Sequence, residues 1–272
     1  MLFRGFVIGE DDLLCLLRKS IPRGILLSAM NSIESADDVA SIRIMKNLIK
    51  IIGIYMRNTL NTEIKIRIAE KNRLKDVSVF YDKSLFTVFV RPDALLKDLI
   101  LYYSCAGVDP IDALFYVFIH EYGHHQLNTM GVSPPEGISS RGYYAIYRKF
   151  EDYAVSKFLR GETYRRIEKK ILVFNAMRSY ESLAVRLIDD LFQWRIDYLA
   201  RSLITKLMDA ISTVALAKAL GYMEIENMFE LPRRILNLIG ILSSKMRQIQ
   251  KTKLGLIPKL AYDAWFSCYR TL

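Results

Sequence analysis

The sequence predicts an α+β protein: one long helix, a small three-stranded sheet, a buried helix, a further acid-bearing helix and a C-terminal helical region. Three observations carry this. Residues 63–90 hold three short stretches with period-two alternation or strong β-propensity, helical spacing governs both flanks, and the chain after residue 160 shows helical patterning only. With 272 residues, 51% of them hydrophobic, the chain can fill one large domain or two modest ones. Thirteen glycines and seven prolines exclude collagen-like repeats and low-complexity disorder.

Ser35-Ala36-Asp37-Asp38 reads as a capping box, opening a helix whose apolar positions are Val39, Ile42, Met45, Leu48, Ile49 and Ile52. The three strands are Glu63 to Ile68, Val77 to Tyr81 and Phe86 to Val90. Tyr81 to Leu85 makes a short hairpin connection, and Arg91-Pro92-Asp93 ends the last strand. Asp109-Pro110 then supplies an N-cap and a first-turn proline for a helix over Ile111 to Leu127, stopped at Asn128 to Gly131. Leu114, Phe115, Val117, Phe118 and Ile119 make that helix apolar nearly all round, so it should be buried. Phe150, Ala154 and Phe158 place the next helix, and further helices are expected over Tyr164 to Ser179, Glu181 to Leu207, Met208 to Leu220, Leu231 to Lys253 and Tyr262 to Tyr269.

The chain has only three histidines, His120, His124 and His125, all within six residues on the buried helix. His120-Glu121-Tyr122-Gly123-His124 is an HExxH run. On a helix, residues four apart share a face, so two imidazoles can hold one metal while the intervening Glu121 is aimed at a water. Two neutral imidazoles and a carboxylate buried together need a partner, and a divalent cation supplies it. His125 lies about 100° round the helix from His124 and is read as a supporting or surface residue.

Catalytic zinc takes three protein ligands and keeps one open position; with no fourth histidine in the chain, the third ligand must be a carboxylate. The downstream acids include Glu136, Glu151, Asp152, Glu162, Glu168, Glu181 and Asp197. Glu136 follows Pro134-Pro135 in a loop, whereas Glu151 stands on a patterned helix with the small Ala154 one turn on. Glu151 is the leading candidate and Asp197 its backup.

At this point the chain resembles the gluzincin clan of zinc metallopeptidases, in which HExxH on one helix is followed by ExxA on another. His120, Glu121 and His124 match the first element and Glu151 with Ala154 the second; small members of the ImmA/IrrE and minigluzincin type are the most similar. The resemblance covers roughly residues 60 to 160 and implies a zincin-like core with a Zn²⁺ ion on His120, His124 and Glu151. It also implies a sheet edge that pairs with an extended peptide. Many relatives carry Asp or Asn after the alanine to support a ligating histidine; here Val155 stands there, which leaves open whether Asp152 or a backbone carbonyl takes that role.

The expected function is therefore zinc-dependent hydrolysis of a peptide or protein substrate, with Glu121 taking a proton from the attacking water and returning it to the leaving amine. Tyr143, Tyr144 and Tyr147 are candidate oxyanion donors, and nothing in the sequence chooses among them. The expected division is a catalytic core over residues 1–160 and a helical bundle over 161–272 packed on it. The competing readings are a non-catalytic zincin-fold binding or structural protein and a basic regulator associated with nucleic acid.

Thirty-nine Lys and Arg against 29 Asp and Glu give a net charge of +10. That balance permits nonspecific phosphate contacts, but no nucleic-acid reading motif is present. The basic segment from Arg233 to Lys253 is a candidate contact for a membrane surface or protein partner. Cys15, Cys105 and Cys268 are odd in number and lack CxxC spacing, so a reducing, cytoplasmic setting is expected. The first twenty residues, interrupted by Glu10, Asp11 and Asp12, read poorly as a signal peptide.

Overall fold

The computed structural model describes residues 10–32, 38–69, 77–134, 141–159, 161–192, 197–224, 231 and 233–271. It divides into two compact units, Met1–Asn128 with Leu159–Ile171, and Thr129–Phe158 with Leu172–Leu272. The capping box at Ser35 to Asp37 and the loop residues Pro135, Glu136 and Gly137 lie outside the described residues.

The first unit begins with α1 (Glu10–Ser20), α2 (Arg23–Ser32) and α3 (Asp38–Leu60). In α3, Met45, Leu48, Ile49, Ile52 and Met56 recur at three- and four-residue spacing and are buried. Val39 is not part of that face: it lies about 120° from Met45 around the helix and is 79% exposed, contrary to expectation. Gly53 brings the helix backbone close to the sheet, since an added Cβ would meet Ile66 Cδ1 at 3.4 Å.

The sheet is the expected three strands, β1 (Lys65–Ile68), β2 (Val79–Asp82) and β3 (Thr87–Val90), each slightly shorter than the patterning suggests. Its order is β1-β3-β2, with β1 parallel and β2 antiparallel to β3. The central place of β3 explains its composition: all four residues are buried, as a strand covered on both faces requires. At the edge, β1 alternates exposed Lys65 and Arg67 with half-buried Ile66 and Ile68. Between β2 and β3, Asp82 Oδ1 accepts hydrogen bonds from Ser84 N–H (3.0 Å), the Ser84 hydroxyl (2.7 Å) and Leu85 N–H (3.1 Å), which sets the turn.

Two helices complete this unit's main body, α4 (Pro92–Ser104) and α5 (Pro110–Thr129). The first of them was not expected from sequence, although Pro92 at its start and Asp93 in its first turn are ordinary start signals. The second confirms the expected cap: Asp109 Oδ1 accepts Ile111 N–H at 2.9 Å, and Gly131, at φ 78°, follows its end. Ile111, Ala113, Leu114, Phe115, Phe118, Ile119, Tyr122 and Leu127 are all buried, so α5 is a core helix, as its composition predicts.

The second unit is built from α6 (Arg141–Phe158), the later part of α7 (Glu162–Phe192), α8 (Asp197–Ala219), α9 (Arg233–Arg247) and α10 (Ile257–Thr271). Within it α6 packs on α8 and α10, and α9 packs on α8 and α10. The expected helix boundaries shift here. Nothing between Ser179 and Glu181 breaks α7, and Leu207 and Met208 sit inside α8. The expected helix from Leu231 to Lys253 ends at Arg247, because Gln250 is extended (φ −110°, ψ 142°) and a short 3₁₀ turn follows over Lys251–Leu256. Among the described residues, no helix is long and apolar enough to cross a membrane.

Candidate metal centre

His120 and His124 share one face of α5, one turn apart, as the spacing requires. Their Nε2 atoms lie 3.2 Å from each other, with the rings edge to face at 79°. Tetrahedral zinc with Zn–N bonds of about 2.0–2.1 Å places two imidazole nitrogens about 3.3 Å apart, and the observed separation is compatible with a shared ion, as it is with an N–H···N hydrogen bond.

The other nitrogen of His120 is held from behind. Its Nδ1 lies 2.9 Å from the hydroxyl of Tyr164, and that hydroxyl donates its proton to Glu168 Oε1 at 2.8 Å. With the phenol proton so committed, Nδ1–H of His120 donates to the Tyr164 oxygen, and the lone pair is left on Nε2. Tyr164 and Glu168 are buried, at 0% and 1% exposure. The Tyr116 ring stacks on Tyr164 (5.2 Å between centroids) and stands against His120 (5.7 Å), fixing the ring from the side.

His125 has a different role. It is buried, and its Nδ1 lies 3.0 Å from the Tyr81 hydroxyl of β2. Asn128 Nδ2 donates to the same phenol oxygen and to Lys83 O, each at 3.1 Å. Burial pushes the His125 imidazole below its ordinary range, as expected for a neutral ring tying helix to strand. It supports α5 from the sheet side and takes no part in the donor pair.

His120, His124 and Asp152 form a group that could hold a metal ion. The carboxylate in it is Asp152, which the sequence suggested as support for a histidine. Glu151, the expected ligand, is not in that group. It is 3% exposed, and its Oε1 accepts the Tyr147 hydroxyl at 2.6 Å. Adjacent helical residues diverge by about 100°, which separates the directions of the two acids. Lys149 Nζ stands 3.5 Å from Asp152 Oδ2. Desolvation alone would lower the Lys149 ammonium, but Asp152 and Asp209 outweigh it and hold it above its ordinary value. The backup acid Asp197 lies on α8, and its side chain is outside the described residues.

Of the three tyrosines considered as oxyanion donors, two have committed hydroxyls. Tyr143 donates to Pro258 O at 3.3 Å and Tyr147 to Glu151. Burial, with the neighbouring Tyr144 and Glu151, pushes the Tyr143 phenol well up; burial and Glu151 do the same to Tyr147. Tyr144 is 37% exposed. Glu121, between the histidines, is half-buried.

Sequence reasoning missed Tyr164 as the support for His120, and had Glu168 only as one of several downstream acids. A Tyr and a Glu four apart on a helix share a face, which is the one local signal; nothing in the sequence ties them to a histidine forty-four positions earlier. No protein-family model, curated protein or solved structure matches the chain.

Proposed function

We propose that the chain is a zinc-dependent metallopeptidase of the HExxH kind, in which His120, His124 and Asp152 hold the ion. The observation that carries this is the facing of two Nε2 atoms at 3.2 Å with the Nδ1 of His120 already occupied by Tyr164. Two imidazole nitrogens this close need a proton or a cation between them, and the backing of His120 by a hydroxyl and carboxyl is how metal-ligating histidines are oriented. The donor set of two imidazoles and a carboxylate suits zinc. The resemblance implied Glu151 as third ligand; the donor group favours its neighbour Asp152.

Zinc bound there supplies a Lewis acid for a peptide carbonyl and makes water nucleophilic near neutral pH. The chain's own contribution is Glu121. It follows His120 directly on α5, keeps some solvent access, and would take the proton of the attacking water and return it to the leaving amine. Tyr164, Glu168 and Tyr116 keep the His120 ring fixed while this happens.

The test is a Glu121→Gln substitution read by both zinc content and cleavage of a peptide library. The proposal expects zinc retained and turnover reduced by roughly 10²-fold or more. Zinc retained by a wild type that cleaves nothing would indicate a binding protein on the same framework; cleavage unaffected by Glu121→Gln would reject the assigned base.

A further inference from the structure

The outer face of α3 carries a stripe unrelated to the metal centre. Val39, Arg43, Lys46, Lys50, Ile54 and Arg57 fall at steps of four, three, four, four and three residues, which keeps them on one side of the helix. All six are exposed. From Arg43 to Arg57 the stripe runs about 21 Å at 1.5 Å per residue. Asp38, the first residue of α3, is the only acid in the helix. Arg57 donates Nε–H to Gly53 O, and among the described residues no carboxylate pairs with Arg43, Lys46 or Lys50. The cations are flanked by aliphatic side chains that the core does not use: Val39 is 79% exposed, Ile54 48% and Ile51 36%.

We propose that this face of α3 docks on an anionic lipid bilayer surface, with Arg43, Lys46, Lys50 and Arg57 on the phosphate and carboxylate headgroups and Val39, Ile51 and Ile54 at the acyl boundary. Charge complementarity is the first ground: four cations without an acid among them are repelled by one another and satisfied by a negative plane. The flanking residues are the second. An interfacial helix pairs a basic face with exposed aliphatic groups, whereas a single-stranded nucleic acid site needs aromatic rings on which bases stack. The aromatic residue of α3, Tyr55, is half-buried and donates its hydroxyl to Ser20 Oγ at 2.9 Å. The opposite face of α3 is fully used in the core, so binding on the stripe needs no rearrangement of the fold.

The experiment is co-sedimentation of the full chain with phosphatidylcholine vesicles, with and without phosphatidylserine, at low and high salt. The wild type should partition onto the phosphatidylserine vesicles only and be released by salt. At roughly fivefold per cation removed, Lys46→Gln with Lys50→Gln should lower that partition about 25-fold, and Ile54→Ser should lower it without changing its salt dependence. All these residues are exposed, and unchanged melting by circular dichroism checks that the variants fold. Failure of the wild type to bind phosphatidylserine vesicles at low salt would overturn the proposal. So would binding that the double substitution leaves intact, or vesicle-independent affinity for duplex DNA that the double substitution removes.

Discussion

His120 and Tyr164, forty-four residues apart in sequence, meet with Nδ1 2.9 Å from the phenol oxygen. Because the Tyr164 proton goes on to Glu168, this contact selects the tautomer of His120 and turns its Nε2 lone pair to the site. The contact lies wholly inside the first unit, so it is set by how α7 begins and not by a ligand.

Removing that hydroxyl gives the first prediction. Tyr164→Phe keeps the ring that stacks on Tyr116 but loses both hydrogen bonds. Zinc affinity should fall about 10- to 100-fold, measured by competition with a chromophoric chelator, and the variant should lose about 1–3 kcal/mol of stability through the hydrogen bonds lost at His120 and at the buried Glu168 carboxyl. Affinity equal to wild type would show that Tyr164 does not position His120.

A second prediction concerns acid stability. The Arg91 guanidinium, bonded to Asp93 Oδ2 at 2.8 Å, holds the Asp93 carboxyl below its ordinary value of 3.8. A carboxyl depressed on folding stabilises the native state above its unfolded pKa, and that contribution is lost as pH falls through the folded value. Thermal melts over the acid range should therefore show a decline below pH 3.8 that is shallower in Asp93→Asn. Parallel curves for the two proteins would remove Asp93 from the pH response.

The thiols give a third. Cys15 and Cys105 are exposed and Cys268 is buried, and burial pushes the Cys268 thiol up to about 11. Near pH 8, two thiols per folded chain should react quickly with a disulfide reagent and the third only after denaturation. Three fast thiols would mean that α10 does not pack as described.

How much of this was legible in the sequence differs between elements for physical reasons. The strands and the α5 cap were readable because alternation, Asp109 and Pro110 act locally, and the burial of α5 followed from apolar residues on every side. Val39 was placed inward because its chemistry is apolar, yet face is decided by angle, and the angle excludes it. The breaks in the C-terminal helices depend on backbone at Gln250 and Lys253, whose side chains carry no breaker signal. At the site, the histidine pair was readable from the four-residue step. The proposed preference for Asp152 over Glu151 was not, because adjacent acids differ only in direction. Tyr147, one turn before Glu151, offers that acid a buried hydroxyl partner, and a rule matching ExxA does not register it.

Zinc content of the protein purified without added metal, for wild type, Asp152→Ala and Glu151→Ala side by side, tests the central claim most directly. We expect near one zinc per wild-type chain, lost with Asp152→Ala and kept with Glu151→Ala, the latter melting lower because the buried Tyr147–Glu151 hydrogen bond is lost. Zinc kept by Asp152→Ala and lost from Glu151→Ala would transfer the third ligand to Glu151, and a wild type that takes up no zinc near neutral pH would contradict the metal centre itself.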